Sequence, residues 1–250
     1  MGGNELDYAK LTEHIVRWLQ KKVSGAAAEG CVVGVSGGID SAVVAALCHR
    51  AFPDKTIAVV LPVHSNEEDA KDAMLVTEHL GLEARKINLD SAYDEFVSAL
   101  EEDSSPFPAE DLPLANIKPR LRMMALYYLA ARHNCLVVGT GNKSELVTGF
   151  FTKYGDGAVD LEPIGELVKS QVVALARYLG IPEKIVERTP SAGLWPGQSD
   201  EGELGFTYQQ LDEFLLTGHT DSKVEDKIRK TMARAKHKLN MPPTCPLDEL

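Results

Sequence analysis

The sequence predicts an α/β fold, a doubly wound parallel sheet of about five strands with helices on both faces. Two observations carry that prediction. Short β-branched apolar runs, such as Val32-Val33-Gly34-Val35 and Ile57 to Val63, alternate with longer segments of helical period. The chemistry-bearing residues cluster just after the runs, where parallel sheets of this kind bind their ligands. At 250 residues the chain is long enough for one sizeable core, so residues 1–250 are expected to form a single unit.

The elements follow in order. Leu11, Ile15, Trp18 and Leu19 give residues 6–23 a helical stripe. Cys31 to Ser36 is a strand ending in Gly37-Gly38, and the alanine-rich stretch 40–51 is a helix. Thr56 to Leu61 is a second buried strand. Asn66-Glu67-Glu68-Asp69 supplies a capping side chain and first-turn acids to the helix that follows. A weaker strand is expected at 84–88 and a helix at 91–102. The three prolines of 103–114 mark a loop. Asn116 to His133 is a helix that tolerates Pro119 in its first turn. Cys135 to Gly139 is a strand opening into an irregular segment, 140–164. Further helices are expected at 167–179, 207–216 and 222–237.

A formal net charge of -11 argues against a general electrostatic footprint for long nucleic acid. Small anions remain possible, since local cations and backbone amides bind phosphate whatever the net charge. No apolar stretch approaches a membrane span, and the polar, acidic Met1–Lys10 lacks a secretory pattern. A cytoplasmic protein is expected. Cys31, Cys48, Cys135 and Cys245 are too dispersed for a metal knuckle or a redox pair.

The most informative stretch is Gly34-Val35-Ser36-Gly37-Gly38-Ile39-Asp40-Ser41, between a strand and a helix. Such a turn aims unpaired N–H groups and a helix dipole at an anion. A plain connection could also use two glycines, but it would explain neither serine. No lysine follows the glycines, which excludes the GxxxxGK[ST] loop. A carboxylate beside phosphates repels them unless a cation bridges the two, so Asp40 suggests Mg²⁺. The segment after Cys135–Gly139 is dense in charge: Glu145 could be a second metal ligand, and Lys153 and Lys169 could neutralise phosphates.

Ser36 to Ser41 resembles the SGGxDS loop of the ATP pyrophosphatases, whose members transfer AMP to a substrate oxygen. The resemblance implies an adenine nucleotide alpha hydrolase-like fold. Gly139-Thr140-Gly141-Asn142-Lys143-Ser144-Glu145, Gly149 to Gly157, Glu162-Pro163-Ile164-Gly165 and Thr189 to Glu201 narrow it. They resemble the signature of the ammonia-dependent NAD synthetase family over nearly the whole chain. That resemblance implies that residues 34–41 (Gly34, Val35, Ser36, Gly37, Gly38, Ile39, Asp40, Ser41), Thr140, Lys169 and Ser191 contact ATP. It assigns Mg²⁺ to Asp40 and Glu145, and deamido-NAD to Arg120, Lys153, Asp160, His237 and Lys238. Asp156 and Lys169 are the implied catalytic residues. Arg120 and Arg122, two apart on a helix, point in roughly opposite directions, and the family pattern selects Arg120.

The implied reaction joins ammonia to the nicotinate carboxylate of deamido-NAD through an acyl adenylate, in a homodimer without a glutaminase domain. Where some relatives read Gly-Thr-Asp-His, this chain reads Gly-Thr-Gly-Asn, so contacts of those two side chains do not transfer. Residues 189–206 are expected to form a lid. Two rivals stand beside this reading. A tRNA thiolase would call for catalytic cysteines and a basic surface. A nucleotide sensor would need fewer of these charges.

Overall fold

The computed structural model describes residues 6–100, 111–191, 193–195 and 197–246. Four strands, β1 (Gly30–Gly34), β2 (Thr56–Val60), β3 (Ala84–Lys86) and β4 (Cys135–Val138), form one sheet in the order β3-β2-β1-β4. Every neighbouring pair is parallel. The helices are α1 (Tyr8–Gly25), α2 (Ile39–Ala51), α3 (Glu67–Leu80), α4 (Asp90–Leu100), α5 (Leu112–Ala115) and α6 (Ile117–His133). They continue with α7 (Lys143–Thr148), α8 (Lys169–Leu179), α9 (Glu183–Val186), α10 (Asp200–Leu204), α11 (Tyr208–Thr217) and α12 (Ser222–Leu239).

Strand alternation divides the core. Cys31 and Val33 face one side, where they pack with Leu19 and Val23 of α1, Val43 and Leu47 of α2, and Val172 and Leu175 of α8. Val32, between them, faces Leu129 and Ala130 of α6, together with Val59 and Val137. Both faces of the sheet are thus covered, as its uninterrupted apolar strands require. A third cluster, built on Leu204, Phe206, Leu211, Phe214 and Ile228, joins α10, α11 and α12.

Three expectations are corrected. The sheet has four strands among the described residues, not about five. The segment after α7 returns beside β4 but forms only one bridge, Val138 to Leu161, and Pro163 then lacks the N–H a ladder needs. Residues 140–164 are not wholly irregular, because α7 lies within them. Asn142 and Glu145 cap each other's backbone there, which repays the cost of starting so short a helix. The expected loop 103–114 ends in α5, where Asp111 accepts from the Leu114 N–H. Residues 103–110 of that loop, and the last two of the helix expected at 91–102, lie outside the described residues.

Leu175 is 0% exposed in the layer between α8 and the sheet. Leu175→Ala should cost about 2–5 kcal/mol and lower the midpoint of thermal unfolding by about 2–4 °C per kcal/mol. Tyr178→Ala, on the exposed side of the same helix, should stay within about 0.5 kcal/mol of wild type. Denaturant unfolding of the two variants checks both; equal losses would contradict this layering.

Candidate active site

The strand order reverses between β1 and β4, because the connection from β1 runs to β2 on one side while β4 adds on the other. Crevices form beyond the carboxyl ends of strands at such a point. Here a cavity of about 480 Å³ opens there, walled by the 34–41 loop, Thr140, Glu145, Lys169 and Ser191.

The loop is braced from within. The Ser41 hydroxyl accepts from the Ser36 N–H at 3.1 Å and reaches the Gly38 carbonyl at 2.9 Å. The Gly38 N–H donates to the Ser36 hydroxyl at 3.2 Å. Gly37 has φ +85°, and a Cβ there would lie 2.6 Å from the Asp69 carbonyl of α3. Only glycine permits both that turn and that approach. Asp40 sits in the first turn of α2, behind the loop.

Lys169, the first residue of α8, sends its ammonium between two carboxylates. Nζ lies 2.5 Å from Asp40 Oδ2 and 3.2 Å from Glu145 Oε1. Asn142 donates to the other Asp40 oxygen at 2.8 Å, and the Tyr208 ring lies 5.2 Å from Nζ. Burial works against the ammonium, but the two carboxylates outweigh it and hold the lysine above its usual range. Burial, then the charge of Asp40, pushes the Glu145 carboxyl up to about 7 despite Lys169. One cation and two acids, nearly dry, leave one negative charge when both carboxyls are ionised. Two hard oxygen donors beside an anion loop fit Mg²⁺, which commonly takes one or two carboxylates and completes its shell with phosphate and water.

Behind this group lies a smaller space of about 40 Å³, lined by Glu145, Asp156 and Glu162 among others. Glu162 accepts from the Gly141 N–H at 3.1 Å, and a Cβ on Gly139 would strike its carboxylate at 2.5 Å. Burial pushes Glu162 up to about 8, and the charges of Glu145 and Asp156 add to the rise. Asp156 opens to the cavity and accepts from the Thr152 N–H at 3.0 Å. The surrounding protein raises its carboxyl, while Arg122 and Lys238 pull it back.

The expected dinucleotide contacts divide into groups. Arg120 donates to the Lys153 carbonyl at 3.3 Å, and Lys153 Nζ donates to the His237 carbonyl at 2.8 Å, so these three meet outside the cavity wall. Lys238 instead lines the cavity, and its Nζ donates to the Gly149 and Phe151 carbonyls, both at 2.7 Å. Asp160 stands apart: its carboxylate accepts from the Val137 N–H and the Tyr127 hydroxyl, tying the returning segment to β4. The two arginines do diverge. Arg122 lines the cavity while bonding the Leu61 carbonyl and Ser65, whereas Arg120 is on the surface. Thr189, Ser191, Leu194 and Gln198 of the expected lid form one wall, and Lys118 holds the Leu194 carbonyl at 2.9 Å.

Sequence reasoning missed Asn142, Tyr208 and Arg188. The Asn142…Glu145 spacing is a helix-start signal that places Asn142 at the site. Tyr208 lies far along the chain with no local mark. Arg188 lines the cavity while paired to Asp69 and Asp72, a partnership only the fold creates.

Comparison with known proteins places the chain in a family. The family described as NAD synthase matches residues 11–242. The NH(3)-dependent NAD(+) synthetase of Carboxydothermus hydrogenoformans is 50% identical over 237 residues, covering 95% of this chain and 97% of that protein. Among solved structures, an NMN synthetase from Francisella tularensis superposes with a TM-score of 0.90 at 38% identity, over 96% of this chain and 99% of that one. The NH3-dependent NAD synthetase of Campylobacter jejuni superposes at 0.79 and 34% identity, over 97% and 100%.

The Glu162 carboxyl yields a pH prediction. A carboxyl raised on folding keeps a proton that the unfolded chain releases, so its contribution to stability is lost as pH rises from the ordinary glutamate value through about 8. Glu162→Gln imitates the protonated form and should gain on wild type over that window. Unfolding free energies at pH 5 and pH 8.5 check this; a constant difference between the two proteins would refute it.

Proposed function

The chain belongs to the NAD synthase family, and from that premise we propose that it amidates deamido-NAD with ammonia, converting ATP to AMP and pyrophosphate. The observation that carries the reading is the Lys169 ammonium held between Asp40 and Glu145 behind an anion-binding loop. That set of charges serves phosphate chemistry and has little use in a protein that only binds a nucleotide.

A carboxylate is a poor acylating group because its leaving group would be oxide. One of its oxygens attacks the α-phosphorus of ATP, the bond to pyrophosphate breaks, and an acyl adenylate remains. The nitrogen of ammonia then attacks the acyl carbon, the bond to AMP breaks, and the nitrogen sheds a proton. The loop amides and Lys169 neutralise charge on the phosphates. Asp156 stands at the cavity with a raised carboxyl, suited to taking that proton. Mg²⁺ held by Asp40 and Glu145 would supply further charge neutralisation at the phosphates. Alignment and exclusion of water do the rest, with no enzyme nucleophile.

Ammonia is the donor on this reading. The chain's near full-length match to a relative named for ammonia dependence supports that statement. A homodimer in the cytoplasm is the expected setting. The exposed Met124 and Tyr128, one turn apart on α6, give a second copy an apolar surface to cover. No described helix is long and apolar enough to cross a membrane. A second acceptor, nicotinate mononucleotide, is favoured by the close superposition on an NMN synthetase.

The purified protein should form AMP and NAD in equal amounts from ATP, Mg²⁺, deamido-NAD and ammonium, and little or none with glutamine in place of ammonium. Faster turnover with nicotinate mononucleotide would move the assignment to the smaller acceptor. No AMP under any condition would end the synthetase reading.

A further inference from the structure

Lys169 is held at its backbone as well as at its ammonium. No side chain of the residue before it caps α8, and the cap comes instead from Asp212 of α11, 43 positions along the chain. Asp212 Oδ2 accepts from the Ser170 N–H at 2.7 Å. Oδ1 accepts from the Lys169 N–H at 3.3 Å and from the Ser144 hydroxyl at 2.7 Å. Ser144 in turn accepts from the Lys169 N–H at 3.1 Å. Ser144 immediately precedes Glu145 in α7. A single carboxylate, 4% exposed, therefore locks together the starts of the two helices that carry Lys169 and Glu145.

We infer that Asp212 is a positioning residue for the nucleotide and metal site, setting the Lys169–Glu145 geometry without touching substrate. The inference rests on the proposed function only for the identity of the reaction, since its geometry concerns the ATP half of the site. Three donors converge on Asp212, and only a carboxylate offers two acceptor oxygens with no donor of its own. An amide there would aim N–H groups at backbone N–H groups or at the serine hydroxyl. One end of α8 would lose its cap, and the ammonium would lose its fixed origin. The negative charge also complements the positive end of the α8 dipole. Tyr208, four residues earlier on α11, lies over the Lys169 ammonium and donates to Asp200 at 2.9 Å. One helix thus holds the lysine at both ends.

Asp212→Asn tests this. Its dissociation constant for ATP with Mg²⁺ is measured by equilibrium binding, and KM for ATP, KM for deamido-NAD and the unfolding midpoint are measured beside it. Both ATP constants should rise about tenfold, the scale on which outer-shell partners tune a site. KM for deamido-NAD should stay within about twofold, because its expected contacts Arg120, Lys153, Asp160, His237 and Lys238 lie outside α7, α8 and α11. Ser144→Ala, which removes one hydroxyl, should weaken ATP by about threefold and keeps the test open if Asp212→Asn fails to fold. Unchanged ATP constants in the folded variants would overturn the inference. So would an equal shift for both substrates, which is the mark of a merely less stable protein. Wild type that binds ATP but makes no NAD would remove the proposed reaction, while the ATP constants would still decide the role of Asp212.

Discussion

The site depends on one electrostatic constraint: two carboxylates can share a nearly dry pocket, both ionised, only with a cation between them. Asp40 comes from the helix after β1, Glu145 from the helix after β4, and Lys169 from α8, which packs on one face of the sheet. Each would be costly alone. Removing one partner of a buried ion pair typically costs about 3–5 kcal/mol, because the charge left behind has neither water nor counter-charge. The three helix starts are therefore coupled, and the crevice between β1 and β4 has a fixed width. Asn142 adds a directional bond to the same point through Asp40.

Much of the architecture was legible in the chain. The β-branched runs at Val32–Val35 and Ile57–Val63, and the acid-rich start at Asn66, yield β1, β2 and α3 with small errors at their ends. Period alone could not reveal α7, whose six residues are too few to show a stripe. Nor could it exclude a fifth strand, since what ends the pairing after Leu161 is Pro163 and a turn away from β4. Strand pairing is decided in space and leaves a weak trace in composition.

The site was legible in its local parts and hidden in its long-range ones. Ser36, Gly37, Gly38, Asp40 and Ser41 declare themselves because loop, helix start and acid are contiguous. Lys169 could be suspected as a phosphate cation, yet its two carboxylate partners lie 129 and 24 positions away. Asp160 illustrates the reverse difficulty. The family resemblance implies a ligand role for it, and in the fold its exposed carboxylate also accepts from the Val137 N–H and the Tyr127 hydroxyl. A charged residue in a suggestive segment carries no mark of the backbone tie it makes in the fold.

The place of Lys169 at the head of α8 has a geometric consequence. Val172, Leu175, Ala176 and Leu179 are buried along that helix, so oil sets the angle of α8 about its own axis, while Asp212 pins its first turn. At 100° per residue, that angle dictates the compass bearing on which the lysine leaves the backbone. The hydrophobic layer is thus a protractor for the polar one. A one-residue insertion just inside the helix would preserve every functional side chain, yet swing the ammonium by more than a quarter turn from its partners. Chain length between Lys169 and Val172 is therefore as much a part of the active site as the lysine itself.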